Sequence, residues 1–205
     1  MTIIGITGGS GCGKTCFSRA FCARGIPRLD ADALYHRITA VPSPCTVALA
    51  DAFGAFVLDE NGALCRAALS RYVFTNGAEG EARRAQLNRI THRYITEEAE
   101  KEMALCRAAG VPAMVLDAPL LFEAGWERYC DAVVAVLAPL SARVSRIMAR
   151  DGVSEEAARA RIAAQPTDDF YRLRADYIVM NDAAAAELSA AADRLSRELV
   201  PYVAK

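Results

Sequence analysis

The feature that most constrains this chain is a glycine-rich stretch close to its start. After Ile6 the sequence reads TGGSGCGKT, from Thr7 to Thr15. This stretch satisfies the pattern G-x-x-x-x-G-K-[ST], with a strand-like apolar run before it and a helical pattern after it, the context in which the pattern binds phosphates. The chain must therefore place a buried strand, a tight loop and a helix start in immediate succession.

The residue types of this phosphate loop suit nucleotide chemistry. Glycines let the backbone curl so that successive N–H groups converge on phosphate oxygens, and the helix that follows adds the positive end of its dipole. Lys14 brings a positive charge to the β- and γ-phosphates, and the Thr15 hydroxyl is a ligand for Mg²⁺. We therefore predict that a nucleoside triphosphate is bound by Gly8, Gly9, Ser10, Gly11, Cys12, Gly13, Lys14, Thr15 and Cys16.

Five short apolar runs alternate with longer helical patterns. Helices are predicted from about Gly13 to Gly25, after Ser141 and after Ser154. The alternation predicts an α/β fold with a five-stranded parallel sheet. The five predicted strands are Ile3–Ile6, Ile26–Leu29, Ala113–Leu116, Ala132–Leu137 and Tyr177–Met180.

Residues 34–110 break this alternation. Their pattern is mainly helical and far too long for a single crossover helix. We predict a helical insertion over 34–110 that covers one side of the active cleft. The core then comprises residues 1–33, 111–140 and 175–205, and residues 141–174 form a lid.

Composition excludes several classes of protein. The 205 residues carry 24 Lys and Arg against 25 Asp and Glu, a formal net charge of −1, which argues against a nucleic-acid-binding protein with a broadly basic surface. No run of about 18 apolar residues and no signal peptide is visible, so we expect no membrane span. Seven scattered cysteines with two histidines fit neither a disulfide framework nor a zinc site and indicate the reducing cytoplasm.

Two aspartates follow the second apolar run. Asp30 and Asp32 lie at the carboxyl end of a predicted parallel strand, where α/β sheets place ligands. In an extended segment both carboxylates point to the same side. One of them then orients an attacking hydroxyl and accepts its proton late in a phosphoryl transfer. The alternative is that one or both cap the next helix.

Arginines cluster after the fourth predicted strand. An arginine-rich helical hairpin of this kind closes over ATP as a lid. The alternative is a solvated surface on which Asp151 and Glu155 pair with the arginines. The residues concerned are Arg143, Arg146 and Arg150 on one predicted helix and Arg159 and Arg161 on the next.

Several segments recur in the order in which one enzyme family carries them. They are Ile4–Gly9, Gly25–Pro27, Asp30–Asp32, Asn61–Arg66 with Leu69 and Val73–Phe74, Leu87–Asn88 with His92, Pro119–Glu123, and then Arg146, Arg150, Gln165, Ala175–Asp176 and Asn181. With these segments the chain resembles the dephospho-CoA kinase family over nearly its whole length. The Asp-Ala-Asp and Pro-Leu-Leu-Phe-Glu pieces are much more specific than the phosphate loop.

The resemblance implies a fold and a reaction. The fold is a P-loop NTPase core of three layers, α/β/α, with a helical substrate-binding insertion and an arginine-rich lid. The reaction is the phosphorylation by ATP, with Mg²⁺, of the 3′-hydroxyl of the ribose of dephospho-coenzyme A, the last step of coenzyme A synthesis. We expect no nucleic-acid or membrane partner, and a monomer or small homo-oligomer.

The resemblance also implies residue roles. Asp32 is the candidate catalytic base and Asp30 a supporting residue, while Lys14, Arg143 and Arg146 stabilise charge. Thr15 and Asp117 are candidate Mg²⁺ holders, although Asp117 is equally a candidate buried structural acceptor. The remaining candidate substrate contacts are Arg66, His92, Leu120 and Glu123, of which the first two could instead only fix the insertion.

The chain departs from the family at Cys12 and Cys16, where small hydroxyl residues are usual. A thiol among converging N–H groups beside Lys14 is expected to have a lowered pKa and to be sensitive to oxidation. Inert packing is the alternative for Cys12.

Two other functions stay open from the residues alone. The first is a kinase for another small acceptor, such as a nucleoside, nucleotide or sugar. The second is a nucleotide-dependent binding module without transfer chemistry, against which the aspartate pair and the arginine hairpin count.

Overall fold

The computed structural model of this protein describes residues 1–182 and 185–200. The chain divides into two compact units: Met1–Asp30 with Cys106–Lys205, and Ala31–Leu105. Residues 183, 184 and 201–205, which belong to the predicted core segment 175–205, lie outside the described residues. Each unit is built around apolar side chains of its own.

A five-stranded sheet organises the first unit. Its strands are β1 (Thr2–Thr7), β2 (Arg28–Asp30), β3 (Ala113–Asp117), β4 (Ala132–Leu137) and β5 (Tyr177–Met180). All neighbours pair in parallel, in the order β2-β3-β1-β4-β5. Because β1 lies in the middle, the loop that follows it starts at the centre of the carboxyl edge, where parallel sheets bind ligands.

Helices accompany this sheet. They are α1 (Lys14–Cys22), α6 (Leu140–Asp151), α7 (Glu155–Ala163), α8 (Asp168–Arg172) and α9 (Ala185–Leu199), with a short 3₁₀ helix at Trp126–Tyr129. The continuous apolar sequences of β1, β3 and β4 are buried along nearly their whole length, as strands covered on both faces should be. Phe17 and Phe21 of α1 are fully buried in the same core and meet edge to face, with ring centroids 5.5 Å apart.

The second unit is helical. It contains α2 (Ala31–Thr39), α3 (Pro44–Phe53), a 3₁₀ helix at Ala55–Val57, α4 (Arg66–Val73) and most of the long helix α5 (Ala78–Ala108). Helix α3 begins with a reciprocal cap: the Ser43 hydroxyl accepts from the N–H of Thr46, and the Thr46 hydroxyl accepts from the N–H of Ser43. Leu49, Val57 and Val73 are fully buried in the core of the second unit.

The prediction of an α/β fold with a five-stranded parallel sheet is confirmed. The prediction that Asp30 and Asp32 share one extended segment is wrong, because β2 ends at Asp30 and α2 begins at Ala31. Asp32 therefore lies in the first turn of a helix. The first helix also ends at Cys22 rather than at Gly25.

Candidate active site

The phosphate loop begins where β1 ends and passes close to the backbone of β4. At Gly8 the backbone has a φ of +135°, and a Cβ there would lie 2.1 Å from the carbonyl oxygen of Val136. Only glycine combines this left-handed backbone with so close an approach. The first glycine of the pattern therefore allows the loop to cross β4 as it leaves the sheet.

Lys14 opens helix α1 and turns its side chain back over the loop. Its Nζ donates to the carbonyl oxygen of Gly8 at 2.7 Å and to that of Gly9 at 3.2 Å. The ammonium group is thereby held above the backbone that surrounds the predicted phosphate position. Thr15 follows in the first turn of α1 and is exposed, so its hydroxyl is accessible to a nucleotide-bound cation.

Ser10, at the tip of the loop, is held by two residues from far along the chain. Gln165 accepts from the Ser10 N–H through Oε1 at 2.8 Å and donates from Nε2 to the Ser10 hydroxyl at 3.0 Å. Arg143 Nε donates to the Ser10 carbonyl oxygen at 3.0 Å. Arg143 is 5% exposed, whereas Ser10 and Gln165 are half-buried.

Arg146 and Asn181 hold the next part of the loop. Arg146 Nη1 donates to the carbonyl oxygen of Gly11 at 3.1 Å, and Nη2 donates to the carbonyl oxygen of Asn181 at 3.4 Å. The buried Asn181 amide donates to the carbonyl oxygen of Cys12 at 2.8 Å. The residue after β5 and helix α6 therefore both hold the loop backbone.

The other predicted lid arginines have acidic partners. Arg150 donates to Asp151 at 2.7 Å, Arg161 also pairs with Asp151, and Arg159 pairs with Glu155 at 2.8 Å. All three arginine side chains are more than two-fifths exposed, at 61%, 45% and 52%. The contacts of these three arginines match the alternative of a solvated surface. Arg143 and Arg146 instead contact the phosphate loop.

A second cluster lies at the ends of β2 and β3. Asp117 is 4% exposed. Its Oδ2 accepts from Ser18 Oγ at 2.7 Å and from Arg28 Nε at 2.9 Å, and Arg28 also pairs with Asp30. These contacts favour the structural alternative for Asp117, because a guanidinium already neutralises its carboxylate on the side of Oδ2.

Three predicted residues lie in the second unit. Asp32 is exposed in the first turn of α2. Arg66, the first residue of α4, donates to Thr39 Oγ1 at 3.1 Å and to the carbonyl oxygen of His36 at 3.4 Å, so it ties α4 to the last turn of α2. His92 is half-buried in α5, and burial lowers the pKa of its imidazole.

The loop after β3 carries the last two predicted substrate residues. Leu120 is 44% exposed. Glu123 is also exposed. Desolvation of its carboxyl raises the pKa of Glu123, and the charge of Arg174 partly opposes that shift.

The expectation that the Cys12 thiol has a lowered pKa is wrong. Cys12 is fully buried. Burial raises the pKa of its thiol, and the charges of Arg143 and Lys14 offset that effect only in part. Cys12 belongs to the core cluster that contains Phe17 and Val136. Its burial and its raised pKa favour inert packing.

Two residues of these networks had no place in the sequence interpretation. Ser18 and Arg28 lie outside every motif, and only the three-dimensional contacts reveal them. Gln165 and Asn181 belong to the resembling segments, but nothing in their spacing indicated which atoms they would bind. Their partners lie 155 and 169 positions away along the chain.

The described residues show neither a cluster of metal ligands nor a helix that could span a membrane. Over residues 1–182 and 185–200, no group of three or more His, Cys, Asp or Glu side chains is arranged to hold a metal ion. No helix in that part of the chain combines the length and the apolar character needed to cross a membrane.

Comparison with known proteins identifies relatives over nearly the whole length of this chain. The family model described as dephospho-CoA kinase matches residues 2–187. A dephospho-CoA kinase from Anaeromyxobacter dehalogenans is 42% identical over 199 residues, which are 97% of this chain and 92% of that protein. The crystal structure of TT1252 from Thermus thermophilus is 34% identical, has a TM-score of 0.78 and covers 97% of each chain.

A more distant structure shares the fold. The dephospho-CoA kinase from Campylobacter jejuni is 24% identical and superposes with a TM-score of 0.66 over 98% of each chain.

Thiol modification tests the burial of Cys12. We expect N-ethylmaleimide to label the exposed Cys16 and Cys22 at least about ten times faster than Cys12, because the thiolate is the reactive form and burial disfavours it. Peptide mass spectrometry of partly labelled protein measures the three rates. Labelling of Cys12 as fast as Cys16 in the folded protein would contradict this interpretation.

Proposed function

The chain belongs to the dephospho-CoA kinase family and has the activity of that family, the final step of coenzyme A synthesis, and we propose that Asp32, Lys14, Arg143 and Arg146 carry the chemistry. In this proposal the γ-phosphoryl group of ATP passes to the 3′-hydroxyl of the ribose of dephospho-coenzyme A. The observation that carries it is the phosphate loop held by Arg143, Gln165 and Arg146, within a chain that matches the family over residues 2–187.

The loop supplies the charge that the triphosphate requires. Its backbone N–H groups and the Lys14 ammonium, which lies within 2.7 Å of the Gly8 carbonyl oxygen, surround the position proposed for the β- and γ-phosphates. Arg143 and Arg146 bring positive charge to the carbonyl oxygens of the same loop, and Arg143 also pairs with Asp168 at 3.5 Å. In a loose transition state, charge spread over the transferring oxygens is stabilised mainly by such fixed groups.

We propose that the hydroxyl of Thr15 is a ligand of Mg²⁺. The hydroxyl of Thr15 is exposed at the start of α1, as a ligand to a nucleotide-bound cation must be. The ion, when bound with ATP, neutralises phosphate charge. Asp117 remains a candidate for contact with the hydrated ion, but Ser18 and Arg28 already bind its Oδ2.

Asp32 is proposed as the residue that orients the ribose hydroxyl and accepts its proton. It lies exposed in the first turn of α2. Asp30 ends β2 directly before this helix. A carboxylate accepts the proton late in the transfer, when the bond to phosphorus is already forming.

We also propose that the second unit binds the substrate and that residues 141–174 act as a lid. Leu120 and Glu123 are proposed to contact the substrate. Arg66 and His92 are further candidates for contact with the substrate. The ties of Arg66 to Thr39 and His36 support an indirect role, in which it shapes the unit. We propose that the protein acts in the cytoplasm, which the free state of all seven cysteines supports.

A coupled assay of ADP formation tests the acceptor. The purified protein is given ATP with dephospho-coenzyme A, adenosine, AMP or a free sugar. We expect kcat/KM for dephospho-coenzyme A to exceed that for each other acceptor by at least about 100-fold, with coenzyme A identified by mass spectrometry. Faster transfer to any other acceptor would instead support a kinase of another small molecule.

Substitution of Asp32 tests the proposed base. We expect Asp32→Asn to lower kcat by at least about 100-fold, because it removes an interaction made in the transition state, while the Kd for ATP changes by less than about threefold. The control is Asp51→Asn, at an exposed aspartate of α3 in the same unit, which should leave kcat unchanged. Near-normal turnover of Asp32→Asn would remove Asp32 from the mechanism.

A further inference from the structure

An arginine side chain lies between the two carboxylates at the ends of β2 and β3. Arg28 is the first residue of β2 and its side chain is 16% exposed. Its Nη2 lies 2.5 Å from Asp30 Oδ2, and its Nε and Nη2 lie 2.9 and 2.8 Å from Asp117 Oδ2. One guanidinium group therefore bridges two carboxylates that belong to different strands.

The register of the sheet explains why such a bridge is needed. Asp30 and Asp117 are direct partners across β2 and β3, and like charges in directly opposed positions destabilise a strand pair. Arg28 lies two positions before Asp30 and therefore on the same side of the strand. Burial lowers the pKa of Arg28, but its bonds to Asp117 and Asp30 more than compensate, so the net pKa is raised and the guanidinium stays charged.

The bridge extends to the phosphate-loop helix. Ser18 of α1 is fully buried. Its hydroxyl lies 2.7 Å from Asp117 Oδ2 and 3.2 Å from the carbonyl oxygen of Thr15. A continuous set of polar contacts therefore runs from the first turn of α1, through Asp117 and Arg28, to Asp30.

We propose that Arg28 is a positioning residue for the phosphoryl transfer. Through Asp117 and Ser18 it fixes the carboxylate of Asp30, next in the chain to helix α2, relative to the start of α1. Arg28 itself touches neither substrate. This inference rests on the proposed function, because it assigns to Arg28 the alignment of the Asp30 carboxylate with the start of α1.

Kinetics of Arg28 variants separate this role from general stabilisation. We expect Arg28→Met to lower kcat for dephospho-coenzyme A by about 100-fold, as misplacement by about 1 Å does, with the Kd for ATP changed by less than about threefold. Arg28→Lys keeps the charge but loses the fork that reaches both carboxylates, so we expect a loss of about tenfold. Calorimetry measures ATP binding, and thermal unfolding shows the temperature range in which each variant is folded.

The matched control is Arg24→Met. Arg24 is also partly buried and pairs with Asp193 at 3.9 Å, away from both carboxylates. We expect its kcat to stay within about twofold of the parent. If Arg28→Met does not fold, Arg28→Lys carries the test against the same control, and a kcat equal to that of Arg24→Met would overturn the proposal.

A double-mutant cycle distinguishes positioning from structural support. If Arg28 acts through Asp30, adding Arg28→Met to Asp30→Asn should change kcat by less than about threefold, because the shared interaction is already lost. Equal losses in both backgrounds would contradict the proposal and identify Arg28 as structural. Failure of the parent protein to transfer phosphate to dephospho-coenzyme A would instead refute the proposed function, so the two failures are distinguishable.

Discussion

The shape of the phosphate loop depends on contacts made to its backbone from outside the loop. The carbonyl oxygen of Val136 lies where a side chain on Gly8 would be, the Asn181 amide donates to the Cys12 carbonyl oxygen, and Gln165 binds both the N–H and the hydroxyl of Ser10. A loop of nine residues rich in glycine has many accessible conformations. The contacts from β4, the end of β5 and the segment after α7 select one of them, and every proposed role of the site assumes that selection.

In the proposed mechanism, the same contacts place the positive charge that a chain with a net charge of −1 needs for two polyanionic substrates. Attraction by the whole protein is absent, so positive charge must be fixed locally. Lys14, Arg143 and Arg146 all bind carbonyl oxygens of the loop. The exposed arginines of α6 and α7 pair with Asp151 and Glu155 instead, and exposed pairs of that kind contribute about 0–1 kcal/mol each.

The sequence predicts well the structural features that depend on neighbouring residues. It predicts poorly the contacts between residues that are far apart in the chain. The strands follow directly from continuous apolar runs, and β4 and β5 have the predicted bounds. Proximity to Lys14 suggested a reactive Cys12, but burial against residues from β4 and α9 decides its pKa. The bridge of Arg28 to Asp117 joins positions 89 apart in the chain. No local pattern specifies such a partner, since it follows only from the register of β2 against β3.

The most direct measurement is the Kd for ATP of a Gly9→Ala variant. Gly9 is outside the left-handed region, so alanine there adds no backbone strain, yet its Cβ would lie 2.3 Å from Arg143 Nη2 and 3.3 Å from Gln165 Oε1. If these two side chains hold the loop in its binding shape, their displacement should raise the Kd for ATP by at least about tenfold, a cost typical of a broken buried network. An unchanged Kd in a variant that unfolds at the same temperature as the parent would contradict the account.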